Sequence, residues 1–207
     1  LFAEEGISEV TVARLEPNDI PENEAATLIT EILAGANVTA SNTFTGRCNL
    51  ISNTHGLLLL DKEKLNTINL IDESVTIATS KPYDITADGQ LVATIKIIPF
   101  AISKSILNAV IKAIGKEPLI SIAPFEEKAL GLIMTRLPGM KESIFDKTLE
   151  VATRRIVEFD SKITKEIRCQ HTQPDVILAI KSMQKSNCDI ILIFGASAVV
   201  DRADVLP

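Results

Sequence analysis

The chain has 207 residues, 46% of them hydrophobic and 23% charged, with a formal net charge of −6. This is the balance of a folded protein with a real core, long enough for one large or two small domains. The acidic surplus argues against a generally basic nucleic-acid face while leaving room for a local phosphate site, and no apolar run approaches the roughly 18 residues of a membrane span.

Glu9 to Ala13 is the first strand candidate. Asn18-Asp19-Ile20-Pro21 then reads as a helix start, followed by Ala25, Leu28, Ile29, Ile32 and Leu33 at helical spacing and closed by Gly35. The apolar run Gly56 to Leu60 ends at Asp61, which is placed to cap a helix carrying Leu65 and Ile68. Residues 74–79 and 91–98 are rich in β-branched side chains and read as strands, with Asp88-Gly89 as a turn before the second. Ser103 caps a helix with Ile106, Leu107, Val110, Ile111 and Ile114, stopped at Gly115.

From about residue 118 the pattern changes. Leu119–Ala123 and Ala129–Thr135 read as strands, and Phe145, Leu149, Ala152, Ile156 and Phe159 mark one amphipathic helix. Ile163–Cys169 alternates as a strand does. Thr172 caps a helix lined by Val176, Ile180 and Met183, and residues 189–194 form a short apolar strand ending at Gly195. Apolar strands alternating with amphipathic helices predict a parallel sheet flanked by helices. The expected division is a smaller α+β region over residues 1–117 and an α/β domain over 118–207. The chain opens on Leu1 and closes at Pro207 in loop-like sequence, so the expectation is a native protein that extends past both ends, with the second domain truncated at its C-terminus.

The residues with chemical potential are few. Cys48, Cys169 and Cys188 are odd in number and lack metal-ligand spacing, and read as buried free thiols of a reducing cytoplasm. No signal peptide is visible, which also points to the cytoplasm. His55 and His171 are too few for a His-rich metal site. The strongest signal is the small-residue loop Gly195-Ala196-Ser197-Ala198 after a buried strand, where backbone N–H groups can approach an anion and a following helix would add its dipole. A plain strand-to-helix turn explains the same residues. Asp201 and Asp204 beyond it can hold Mg²⁺ with phosphates or cap the next helix. Arg136, just after a strand, can grip a phosphate. Arg47, after Gly46, is an anion contact or a surface ion pair, Lys96 an exposed-face residue, and His171 a phosphate donor or a surface residue at a helix start. No Ser–His or Cys–His arrangement suggests a nucleophilic mechanism.

The segment Phe194-Gly195-Ala196-Ser197-Ala198-Val199-Val200-Asp201-Arg202-Ala203-Asp204-Val205-Leu206-Pro207 resembles the hallmark of molybdopterin adenylyltransferases and molybdopterin molybdotransferases, a strand followed by Gly-Gly-Thr/Val-Gly/Ser and then an Asp, often within Asp-x-Thr-Pro. Gly195 matches the second glycine, Ser197 the Ser, and Asp204 to Pro207 the Asp-x-Thr-Pro end. Phe194 stands where the first glycine would be, and Asp201 rivals Asp204 for the acidic role. Upstream, Thr135-Arg136-Leu137-Pro138-Gly139 takes the place of the family's Thr/Ser-Gly pterin loop, Asp146 matches an Asp or Asn of the next helix, and Cys169-Gln170-His171 stands where the family commonly has an Asp. Residues 7–12, 19–26, 44–50 and 92–100 resemble a bacterial molybdotransferase-like subgroup, some of whose members carry a nucleotidyltransferase after the binding domain.

The resemblance implies a molybdopterin-binding fold that takes molybdopterin or its nucleotide form during molybdenum cofactor assembly. Thr135, Arg136, Gly195, Ala196, Ser197 and Ala198 would line the site, and Asp201 and Asp204 would hold Mg²⁺ for adenylyl transfer or molybdate insertion. A second reading is a non-catalytic module presenting the cofactor to a fused or associated nucleotidyltransferase, and a third a nucleotide or ADP-ribose hydrolase. The expected partners exclude nucleic acid and membranes and include a second copy of the chain.

Overall fold

The computed structural model describes residues 12–196 and 204–206. The chain divides into two compact units, Leu1–Pro124 and Phe125–Pro207. The first is the larger, and the division falls a strand later than the sequence suggests.

The first unit contains β1 (Asp19–Pro21), α1 (Glu22–Leu33), β2 (Val38–Ala40), β3 (Arg47–Ser52), β4 (Gly56–Leu60), α2 (Lys62–Asn69), β5 (Val75–Thr79), β6 (Ile85–Thr86), β7 (Leu91–Ile97), β8 (Ala101–Ser103), α3 (Lys104–Ile114) and β9 (Ile120–Pro124). An antiparallel sheet in the order β2-β3-β7-β5 alternates along its strands. Cys48, Leu50, Ile95 and Ile97 are buried in one core cluster with Ala25, Ala26, Ile29 and Leu33 of α1, as a sheet with one covered face requires. The caps at Asp61 and Ser103 form as expected, accepting from the Lys64 and Ile106 N–H groups. The helix start near Asp19 shifts: Asp19–Pro21 pairs antiparallel with β8, so α1 begins after Pro21. Of the strand expected at Glu9–Ala13, residues 9–11 lie outside the described residues, and Val12 and Ala13 are not in a strand.

Leu119–Ala123, expected to open the parallel sheet, does not join it. As β9 it pairs antiparallel with β4, from Gly56↔Pro124 to Leu60↔Ile120, in the sheet β6-β4-β9. Its apolar residues fit a parallel or an antiparallel partner equally well, so composition alone could not place it.

The second unit is β10 (Ala129–Arg136), α4 (Glu142–Val157), β11 (Lys162–Gln170), α5 (Gln173–Gln184) and β12 (Ile190–Phe194). Its three strands are parallel in the order β11-β10-β12. Here the expected parallel sheet with flanking helices is found. The chain steps from the central strand to one side, then crosses back to the other, and β10 is where that direction reverses. Leu132 and Met134 pack with Phe145 and Ala152 of α4, while Ile133 packs with Ala179 and Met183 of α5. Alternation along one strand thus feeds two separate clusters.

Strict alternation fails in β11. The register moves from Leu130↔Ile163 to Gly131↔Lys165, leaving Thr164 as a bulge. Ile163 consequently joins the α4 cluster while Ile167 and Cys169 join the α5 cluster. Phe159 lies beyond the end of α4 and meets Phe125 edge-on, with ring centroids 5.1 Å apart.

Two glycines mark close approaches of different severity. A methyl group at Gly56 would lie 2.2 Å from the Ala123 carbonyl oxygen of the paired strand, whereas one at Gly131 would lie 2.7 Å from the Met183 sulfur. Backbone in a ladder cannot retreat, but a methionine side chain can repack. Gly56→Ala is expected to cost about 3 kcal/mol and Gly131→Ala about 1 kcal/mol. Urea denaturation of both variants checks the order, and an equal loss contradicts it.

Candidate functional site

The C-terminal edge of the parallel sheet gathers around one side chain. Thr135 follows Met134 near the end of β10, opposite Cys169 of β11, and is 2% exposed. Its hydroxyl oxygen accepts the Ala196 N–H at 2.8 Å, lies 2.8 Å from Nδ1 of His171, and lies 3.4 Å from the Phe194 carbonyl oxygen. One hydroxyl has one proton and two lone pairs. With the Ala196 N–H on one lone pair, the hydroxyl proton and the other lone pair serve His171 Nδ1 and the Phe194 carbonyl, in roles that the His171 tautomer sets. Thr135 therefore ties the ends of all three strands. The His171 N–H continues the ladder to the Arg136 carbonyl at 2.9 Å, which sets the ring beside Thr135.

Arg136 does not share that position, correcting the expectation that it lines the cleft with Thr135. Successive residues of a strand point to opposite faces. Its guanidinium lies 4.9 Å from the centre of the Phe145 ring and donates to Glu142 at 2.6 Å. Arg168, two strand positions before Gln170, joins the same face. It pairs with Glu142 and Asp146, each at 2.8 Å, and with Glu166, over the other contact to the Phe145 ring. Asp146 is thereby an ion-pair partner of β11. Hydrogen bonds from Arg168 first, and then the Arg136 contacts, hold the Glu142 carboxyl below its ordinary range, while the three carboxylates raise Arg168 further. This network fixes the start of α4, whose N-cap Lys141 supplies no side-chain hydrogen bond.

Cys169 is half-buried rather than buried. Burial first, then the Asp175 charge, pushes its thiol up, against a smaller opposing effect of Arg136. It is not the depressed thiol that nucleophilic chemistry needs.

A cleft of about 100 Å³ at this edge is lined by Thr135, Met140, Phe145, Phe194, Gly195 and Ala196 among others. It shares Ile144, Thr148 and Phe194 with a groove of about 390 Å³ along α4, which adds Val151, Ala152, Lys147 and Arg155. Thr135, Gly195 and Ala196 of the sequence reading share this cleft; His171 as a partner of Thr135 was not foreseen. Nor were Lys147 and Arg155, which carry no motif and reveal themselves only as the polar edge of α4. Ser197, Ala198 and Asp201 lie outside the described residues; Asp204 is half-buried. Among the described residues, no group of three or more His, Cys, Asp or Glu side chains can hold a metal ion, and no helix is long and apolar enough to cross a membrane. No protein-family model, curated protein or solved structure matches the chain.

Thr135→Val keeps the side-chain shape and leaves the Ala196 N–H and His171 without their shared partner. It is expected to cost about 1–2 kcal/mol and to speed amide exchange at Ala196, with Thr135→Ser close to wild type. Unchanged exchange at Ala196 in the Val variant contradicts the role assigned to the hydroxyl.

The Glu142 pair has a pH signature. Because its folded-state value lies below the ordinary 4.5, its contribution is present above that value and is lost as pH falls through the lower, folded value. Wild-type urea midpoints are expected to fall on acidification from about pH 6 to about pH 3.5, and Glu142→Gln to lose part of that dependence. Identical pH profiles for the two proteins contradict the assignment.

Proposed function

We propose that residues 125–207 bind molybdopterin or its nucleotide form at the C-terminal edge of the parallel sheet, as a step in molybdenum cofactor assembly. The observation that carries this reading is the Thr135 hydroxyl, which holds the backbone at Ala196 and the His171 ring together where the strand order reverses. Loops at such an edge are the usual ligand-binding position of an open parallel sheet. The neighbouring groove supports the same chemistry. Its floor is apolar and its edge carries Lys147 and Arg155, which suits a flat heterocycle with a phosphate. Phe194, which stands in place of the hallmark's first glycine, is 43% exposed and lines both the cleft and the groove. Its ring offers a stacking surface for a pterin.

Between transfer catalysis and cofactor presentation, the presenting module is favoured. Arg136, the cation nearest to Thr135 in sequence, is committed to Glu142. What the site offers is an exposed aromatic ring at Phe194, an apolar groove and two peripheral cations, Lys147 and Arg155.

The test is an anaerobic titration of the full chain with molybdopterin, with and without Mg²⁺. Saturable binding is expected, weakened about tenfold in Thr135→Val and in the Lys147→Ala/Arg155→Ala double variant. Absence of binding, or equal affinity in all three proteins, rejects the reading. Asp201→Asn and Asp204→Asn separate the two modes. A Mg²⁺-dependent gain that these variants abolish supports a catalytic metal site, and equal affinity throughout supports the presenting module.

A further inference from the structure

The first unit carries a second arrangement of chemically capable side chains, independent of the site above. The turn Phe44-Thr45-Gly46-Arg47 has positive φ at both central residues, 46° and 67°, and is closed by N–H···O bonds in both directions between Phe44 and Arg47 at 3.0 Å. This is the two-residue hairpin whose twist matches that of the flanking strands. In an antiparallel pair, directly opposite residues project from the same face. Phe44 is opposite Arg47, Arg47 is opposite Lys96, and Lys96 is opposite Thr76. These residues form one row across the sheet. The row lies on the face away from α1, because the next residue of β3, Cys48, points into the α1 core.

The row is unusual in three respects. Arg47 and Lys96 are like charges directly opposite each other, a placement that costs stability unless something anionic lies between them. Among the described residues neither makes an ion pair with a carboxylate; the Glu22 carboxylate lies beside Gly46. The Lys96 ammonium is instead held by the Thr45 carbonyl, which fixes it at the turn with donors to spare. Phe44, at the end of the row, is 76% exposed, and among the described residues no cation is stacked on its ring. Two residues further along each strand, Asn49 and Thr94 are opposite and hydrogen-bonded at 2.8 Å, adding neutral polar groups beside the cations.

We propose that this sheet face binds a nucleoside phosphate, with the base stacked on Phe44 and the phosphate held by Arg47 and Lys96. The geometry favours a nucleotide over free phosphate. The aromatic ring and the cations share one face, separated by strand spacings of about 5 Å each, so a ligand with an aromatic ring at one end and an anion at the other satisfies both. Arg47 supplies a planar fork and Lys96 a point charge, the two modes by which proteins grip phosphate. The overall acidity of the chain, −6, opposes a long polyanion more than a small one.

The experiment titrates the isotope-labelled full chain with adenosine monophosphate, inorganic phosphate and adenosine, following backbone amides by NMR. Adenosine monophosphate is expected to shift the amides of Phe44–Arg47 and Lys96 and to bind more tightly than either fragment. Arg47→Ala and Lys96→Ala, both on the open face, are expected to weaken it about tenfold. Phe44→Ala is expected to abolish the advantage of the nucleotide over phosphate. Shifts confined to residues 125–207, or an affinity unchanged in all three variants, overturn the proposal. So does a short oligothymidylate that binds through the same residues at least about tenfold tighter than the mononucleotide, because the ligand is then a polymer.

Discussion

The central strand of the parallel sheet has to satisfy four neighbours at once. β10 is hydrogen-bonded to β11 along one edge and to β12 along the other, and it is covered by α4 on one face and α5 on the other. No position between Leu130 and Thr135 is left to solvent. Because alternate residues serve different faces, the identity of each side chain decides which helix it holds. At the last position of the buried run the same rule places a hydroxyl. Thr135 is buried like its neighbours, yet it is polar, so it must find partners. The groups within reach are the ends of the adjacent strands. The candidate site is therefore a product of the packing constraint on β10.

The same alternation explains why neighbouring residues in the sequence part company in space. Thr135 and Arg136 adjoin each other, but one closes the strand ends while the other lies over Phe145 and pairs with Glu142. The Arg168 network repeats the theme from β11, where Glu166 and Arg168 share the α4 face and Ile167 and Cys169 the other. A carboxylate pair one helical turn apart, Glu142 and Asp146, meets one guanidinium. These exposed pairs orient α4 more than they stabilise it.

How much of this was legible in the sequence depends on the range of the interaction involved. Local signals held where one side chain acts on its own turn: Asp61, Ser103 and Thr172 each accept from the N–H three residues on. Periodicity found α4 and α5 of the second unit, because both bury apolar stripes. It also placed Thr135 and the Gly195 loop on one edge, which follows once the strands are taken as parallel. What it could not reach was pairing choice and register. Leu119–Ala123 has no residue that prefers a parallel partner to β4. The bulge at Thr164 moves Ile163 to the face opposite Ile167, although their spacing reads as one face. His171 beside Thr135 required both registers to be known, since it is 36 residues away in the chain. The row from Phe44 to Thr76 crosses four chain segments and had no linear signature beyond Gly46-Arg47.

The order of strands in the second unit also governs how the chain must behave while it is being made. β10 is synthesised first and is apolar over most of its length, with no charge between Ala129 and Thr135. Its partner on one side, β11, begins at Lys162, but the partner on the other begins only at Ile190, opposite Leu130. Until those residues leave the ribosome, β10 presents an unpaired apolar edge for seconds, at ordinary elongation rates of about 5–20 residues per second. Such an edge is a template for strands of other chains. The ion pairs at Glu142, Asp146 and Arg168 involve only segments that emerge before β12. They let α4 and β11 settle on β10 early, burying one face and one edge and narrowing the interval in which a nascent chain can aggregate.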